Sequence, residues 1–494
     1  MGATVLSKVL GLVREMMLAA AYGAGNSVAE AFSAALSVPS TFFDLLFSAA
    51  ILGCFIPVYN SFKGNEKKAD EFACIFFNAI SLLTGILALI GIIFAEPIIK
   101  IVTPGLEDSA LAVTIVRILF PMIIFTGMAY TLVGVMQSKG RFFLPALISS
   151  ISNAGVIVYF LFFNNIFGVY GLAAAYVIAW VIQFLTLAIP LARGGFRFRA
   201  LFDLRNPELR TAIKMVPPIM IGSWLSPMTI LVGKHFASYF NGVATFNYAN
   251  QTYIMIAGIL VYSICNYVFP TLSRLADEGK TEDFNHTVRT GTTAAMFIIV
   301  PFMFAVAVLS GEGTAILYMR GEFTAQNTAD TAEALRIISF AMPFYGAIEI
   351  FSRVFYSKKK TFFPMLAAIL GVIVMTVSGA VCVQGFRMGL NAVALSVALG
   401  QFTAALVLTV CAVKNVKGLF TWDFIKDLLK IFVCGLVMCA VMMLIYKLLA
   451  NNPYISGIYK NVGVCALTFA GGAVMYLVFS AILGVKFSVK TGRE

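Results

Sequence analysis

The chain has 494 residues, of which 60% are hydrophobic and 12% charged, about half the usual charged share near 25%. With a mean hydropathy of +0.92, that composition excludes an ordinary soluble domain and marks an integral membrane protein. The formal net charge is +12, from 35 Lys and Arg against 23 Asp and Glu; the basic residues track the ends of the apolar runs, so the excess points to a membrane surface and not to nucleic acid.

Fourteen apolar runs of membrane-spanning length, about 17 to 25 residues or more, lie near residues 5–22, 30–62, 70–100, 109–136, 143–165, 170–192, 211–238, 245–273, 287–309, 330–356, 361–383, 389–412, 423–448 and 460–484. The first, within SKVLGLVREMMLAAAYGAG, carries Lys8, Arg14 and Glu15. Charge at bilayer depth costs several kcal/mol unless it meets a polar cavity or a partner, so this helix is expected to line a wet interior path, as in a transporter.

With a cytoplasmic N-terminus, the loops on that side hold Lys63, Lys67 and Lys68; Lys139 and Arg141; Arg193, Arg197, Arg199, Arg205 and Arg210; Arg274, Lys280 and Arg289; Lys358 to Lys360; Lys414 and Lys417; and Lys486, Lys490 and Arg493. The opposite side has chiefly Arg320, Arg387 and Lys460. This bias places both termini in the cytoplasm, and an odd number of spans would break it. No cleavable signal peptide is expected, because the first run lacks a basic leader and passes straight into a multispan pattern. The eight cysteines sit in apolar runs without CxxC spacing and the two histidines, His235 and His286, are far apart, so no metal and no cofactor is expected.

The chain also repeats itself. RFFLPAL followed by GLAAAYVIAWVIQF corresponds to TFFPML followed by GLNAVALSVALGQF, which pairs Gly171 and Gln183 with Gly389 and Gln401, and the basic turn QSKGRFF matches YSKKKTFF. An even number of spans separates the copies, so the repeat is parallel. The expected architecture is all-α with two pseudo-symmetric six-helix lobes, residues 1–192 and 211–412, around a central cavity. Residues 193–210 form a cytoplasmic linker, and residues 413–494 hold spans 13 and 14 with a cytoplasmic tail.

Further stretches stand out in chain order: SKVLGLVRE with YGAG and AEAF, the single positions Pro39, Phe55 and Pro57, VTPG, RILFP, GRFFLPA, and RGEFTAQNTADTAEAL. In this order and at these spacings the chain resembles the MurJ (MviN) lipid II flippases of the multidrug/oligosaccharidyl-lipid/polysaccharide exporter superfamily. The resemblance implies alternating access that moves undecaprenyl-linked peptidoglycan precursor, lipid II, to the outer leaflet of the bacterial cytoplasmic membrane. It also implies a groove for the lipid tail at spans 13 and 14, and the chain is expected to act as a monomer among membrane lipids, with any coupling ion unspecified.

A pyrophosphate headgroup needs fixed cations to replace its hydration. Arg14 stands where relatives place an essential arginine, and a guanidinium binds pyrophosphate oxygens bidentately; the competing reading is a structural pair with Glu15 or Glu30, of which Glu30 is favoured because adjacent residues point about 100° apart on a helix. Lys8 contacts substrate or snorkels to headgroups. Glu30 latches an outer gate, with Glu15 alongside it, or simply favours the start of its helix. Where many relatives carry cations, this chain has Phe43 and Asp44 in PSTFFDLL and Gln251 in NYANQTY. Lys234 is expected to compensate for Gln251 beside Asn250, with Asp44 as counter-ion in one state, or else to reach the outer interface. Glu349 and Arg353, spaced i, i+4, read as a structural pair, and Arg117 is undecided between lobe interior and cavity.

An enzyme is disfavoured: the short outer loops hold no paired-carboxylate or histidine constellation, and no GxxxxGK[ST] loop signals ATP drive. The remaining alternatives are a related flippase for another undecaprenyl-linked glycan and a cation-coupled drug exporter, which would stop at twelve spans.

Overall fold

The computed structural model describes residues 2–485 apart from 63, 204, 223, 386, 387 and 451–456; of the charges counted above, Lys63, Arg387, Lys486, Lys490 and Arg493 lie outside the described residues. Among the described residues the structure is helical, without a strand. Helices satisfy their own backbone hydrogen bonds, which hydrocarbon demands. Among the described residues nine helical segments are long and apolar enough to cross a membrane, or ten if a pair bent by 46° counts as one span.

The chain divides into two compact units, Met1–Ala244 with Arg320–Phe323, and Thr245–Met319 with Thr324–Glu494. The first contains α1 (Gly2–Tyr22), α2 (Ser27–Phe43), α3 (Ala49–Asn60), α4 (Glu66–Ile93), α5 (Ala95–Val102), α6 (Ser109–Leu119), α7 (Met122–Ser138), α8 (Phe143–Phe162), α9 (Asn164–Arg193), α10 (Pro207–Gly222) and α11 (Leu225–Ala237). Here α1 packs on α8, α8 on α9, α2 on α6, α4 on α7, and α3 on α10. Several runs read as single spans are broken. The second run divides at a π-helical turn, Asp44–Ser48, and the fourth at Pro121, which has no N–H to give the α6 ladder. Asparagine and aspartate side chains open the helices: Asn26 accepts from Ala29 N at 2.8 Å, and Asp108 from Leu111 N at 2.9 Å.

α12 (Val243–Asp277) starts in the first unit and continues through the second. The second also holds α13 (Thr281–Tyr318), α14 (Ala325–Ser339), α15 (Met342–Ser357), α16 (Phe362–Ala380), α17 (Leu390–Asn415), α18 (Trp422–Ala450) and α19 (Gly457–Ile482). Thr324 and Asn327 close a reciprocal capping box on α14, and the α14–α15 pair is the bent span. The repeat shows in local geometry with one shift of register. Gly389 opens α17 with φ 68° and ψ −155°, and the same conformation, φ 55° and ψ −148°, occurs at Gly168, one turn before the Gly171 that the sequence pairs with it. Gln183 and Gln401 are both buried.

The two C-terminal helices dock on α13. Ala305 and Leu309 of α13 form a buried cluster with Cys434, Met438, Met442 and Tyr476, and Tyr446 donates to Glu312 at 2.7 Å. Gly435 lets α18 approach closely, since a Cβ there would meet Val300 and Phe304. Beside this contact α13 and α19 leave an apolar cavity of about 480 Å³, lined by Phe302, Leu309, Ile316, Val462, Cys465 and Phe469 among others.

Candidate functional site

A polar cluster sits inside the first unit, built on the charged face of α1. Arg14 donates from Nη1 to Asn153 Oδ1 on α8 at 3.0 Å and from Nη2 to Glu15 Oε1 at 2.5 Å, and its guanidinium lies 5.5 Å from the Tyr176 ring centroid on α9. Asn153 turns its amide back to the Ser7 carbonyl at 3.2 Å, and Gly11 gives it room, since a Cβ there would come within 3.3 Å of Nδ2. The partner of Arg14 is thus Glu15, not Glu30 as helical angles suggested. A long guanidinium can fold back along its own helix to a neighbour, and Glu30 is engaged elsewhere.

Glu30 is 1% exposed and accepts from three backbone amides: Gly25 N at 3.3 Å, Val243 N at 2.5 Å and Ala244 N at 3.0 Å. Two of those donors are the first residues of α12, so Glu30 caps that helix, where a carboxylate also gains from the dipole. One turn on, the Ser33 carbonyl accepts from Lys234 Nζ at 2.6 Å. Lys234 is 3% exposed, so it does not reach the outer interface, and the carboxylates acting on it are Glu15 and Glu30. Two cations and two carboxylates therefore balance in a buried site, as low dielectric requires.

The remaining positions fall outside this cluster. Lys8 and Asp44 are exposed, and so is Arg117. Asn250 is buried with its Oδ1 making no hydrogen bond, and Gln251 is half-buried, both on the part of α12 in the second unit. Nearby in that unit Thr252 pairs with the Tyr318 hydroxyl at 3.0 Å, and Arg353 meets Glu349 at 2.6 Å, the structural pair read from their spacing. Sequence reading missed Asn153 and Tyr176. The signal for Asn153 was available, a polar SSISNAG stretch inside an apolar run.

A second feature closes on the C-terminal end of α1. Glu322 N donates to the Ala20 carbonyl at 2.9 Å, and two left-handed glycines face the opposite backbones. A Cβ on Gly321 (φ 59°) would strike the Ala20 carbonyl, and one on Gly23 (φ 67°) would strike that of Glu322. Gly321→Ala combines a left-handed strain of about 1–2 kcal/mol with that clash. It should speed hydrogen exchange at the Glu322 amide by on the order of tenfold or more, and unchanged exchange would show that the contact does not depend on the glycine.

Comparison with known proteins covers nearly the whole chain. A family model described as lipid II flippase MurJ matches residues 18–464. A probable lipid II flippase MurJ of Bdellovibrio bacteriovorus is 27% identical over 383 residues, 75% of this chain and 73% of that protein. A solved lipid II flippase MurJ in an inward closed conformation superimposes with a TM-score of 0.82 at 24% identity, covering 97% of each chain. An inward-facing multidrug resistance MATE family transporter of the MOP superfamily follows with a TM-score of 0.68 at 16% identity, over 84% of this chain and 95% of that one. At these identities the two solved structures establish a shared fold.

Proposed function

Because the chain belongs to the lipid II flippase MurJ family, we propose that it carries lipid II, the undecaprenyl-linked peptidoglycan precursor, from the inner to the outer leaflet of the bacterial cytoplasmic membrane by alternating access. It is a transporter and not an enzyme. The observation that carries this reading is the family match over residues 18–464, which takes in nearly every span.

The charge-balanced cluster suits such a cargo. In the arrangement described, Glu15 occupies the guanidinium of Arg14; an arriving pyrophosphate offers the same acceptor geometry with more charge and would take its place. Glu30 would then act as the outer latch, since its carboxylate holds the first turn of α12 while the rest of that helix belongs to the second unit. The apolar cavity between α13 and α19 fits part of a polyprenyl tail. In this reading α1, α2 with α3, α10 with α11, and α12 also cross the bilayer, which with the ten spans above gives fourteen and puts both termini in the cytoplasm. The protein works as a monomer, without a cofactor.

A second reading, a flippase for another undecaprenyl-linked glycan, draws on the uncharged Phe43 and Gln251 and the acidic Asp44 at positions where a pyrophosphate carrier gains from cations. Expression in cells depleted of their lipid II flippase separates the two. Rescue of growth, with lipid II reaching the outer leaflet, is expected; failure of rescue by a protein that inserts normally would favour the other glycan.

A further inference from the structure

Two basic turns with matching sequences are built differently. In the first copy, Ser138-Lys139-Gly140-Arg141, the left-handed position is a glycine, Gly140 with φ 74°, and Lys139 is neutralised by Asp70 at 2.8 Å while lying 5.4 Å from the Phe196 ring centroid. In the second copy, Ser357-Lys358-Lys359-Lys360, the same position is Lys359 with φ 58°. A left-handed conformation costs a lysine about 1–2 kcal/mol relative to an ordinary one, a cost that glycine avoids. Lys358 stacks 4.5 Å from the Phe284 ring centroid but, among the described residues, has no carboxylate within ion-pair distance.

This second turn borders a cavity of about 270 Å³ whose wall includes Gly279, Lys280, Thr281, Phe284, Lys358 and Lys359. The carboxylates at its rim already have cations, Asp277 with Lys359 at 3.2 Å and Glu278 with Lys280 at 2.9 Å and Arg274 at 3.9 Å. Lys358 is left over, half-buried, with Lys360 next to it; burial first and then Lys360 lower its pKa. An ammonium partly shielded from water without a counter-charge gains from an anion that completes it. α13 begins at Thr281 in the same wall and carries Glu282 and Asp283 in its first turn, so the attraction for an anion comes from the lysines and not from the helix end.

We propose that this cavity is a phosphate-binding site at the membrane–water interface, taking a phosphate presented on a lipid headgroup or free in solution. Lys358 supplies the uncompensated charge, and the left-handed turn at Lys359 brings a second ammonium, shared with Asp277, to the cavity wall where the first copy has a glycine. Lysine suits a phosphate of variable orientation, which needs point charge more than a fixed fork. The inference is independent of which molecule the protein transports.

The test uses the full chain in nanodiscs and reads the rate at which an amine-reactive acetylating reagent modifies Lys358, by mass spectrometry, relative to the exposed Lys67. Phosphatidylcholine discs give the baseline; phosphatidylglycerol discs, and phosphatidylcholine discs with millimolar inorganic phosphate, are the two anionic conditions. Protection of Lys358 by about fivefold beyond any change at Lys67 is expected. Protection with phosphatidylglycerol alone assigns the site to a lipid headgroup, and protection with inorganic phosphate assigns it to free phosphate. Equal behaviour of Lys358 and Lys67 in every condition overturns the proposal. Lys359→Gly restores the glycine of the first copy and so should fold well, yet weaken the protection; undiminished protection in Lys359→Gly with Lys280→Gln would also overturn it.

Discussion

Arg14→Ala should abolish lipid II translocation, and the loss should persist when the charge it leaves behind is removed. The single substitution strands Glu15, which is buried and held by Arg14 at 2.5 Å; breaking a buried pair from one side costs about 3–5 kcal/mol. Lower protein yield alone would therefore say nothing about substrate. Arg14→Ala with Glu15→Gln removes that imbalance and is expected to restore insertion and thermal stability. If Arg14 binds pyrophosphate, flipping by the double variant in proteoliposomes should still fall by on the order of 100-fold, the equivalent of about 3 kcal/mol of charge-assisted hydrogen bonding. Wild-type flipping in the double variant would reduce Arg14 to a structural partner of Glu15 and Asn153.

Lys234 carries the second large effect. Lys234→Met keeps the length of the side chain but removes the bond to the Ser33 carbonyl and the cation facing Glu15 and Glu30. Transport should fall by on the order of 100-fold, and apparent stability should fall with it. Lys234→Arg should not rescue function, because a position 3% exposed has no room for the broader guanidinium. Adding Glu30→Gln to Lys234→Met should recover stability by rebalancing charge while leaving transport impaired, since the cap on α12 then loses its carboxylate. Near-normal flipping by Lys234→Met would remove Lys234 from the mechanism.

The helical class, the nine or ten apolar spans found among the described residues, and the charged face of α1 were legible in the sequence. Hydrocarbon leaves the backbone no partner but itself, so length and hydropathy nearly dictate where helices run. For the same reason Arg14 stood out: charge inside an apolar run needs a polar destination wherever the helix packs. Even the unusual lysine at the second basic turn was visible by setting YSKKKTFF against QSKGRFF, although its left-handed backbone was not.

Which groups meet was decided only by the tertiary structure. The spacing of α1 turned Glu15 away from Arg14, yet the flexible guanidinium folds back to it and leans on Asn153 and Tyr176, more than 130 residues later in the chain. Nothing near Glu30 in sequence announces that it caps α12, because its donors are backbone amides of Val243 and Ala244, which any residue types would supply. Lys234, read as compensating for Gln251 with Asp44 as counter-ion in one state, lies in the first unit, where Glu15 and Glu30 act on it. Hydropathy is a property of each segment and survives in isolation; a buried charge takes whichever partner packing brings within 3 Å, and that is a property of the assembled helices alone.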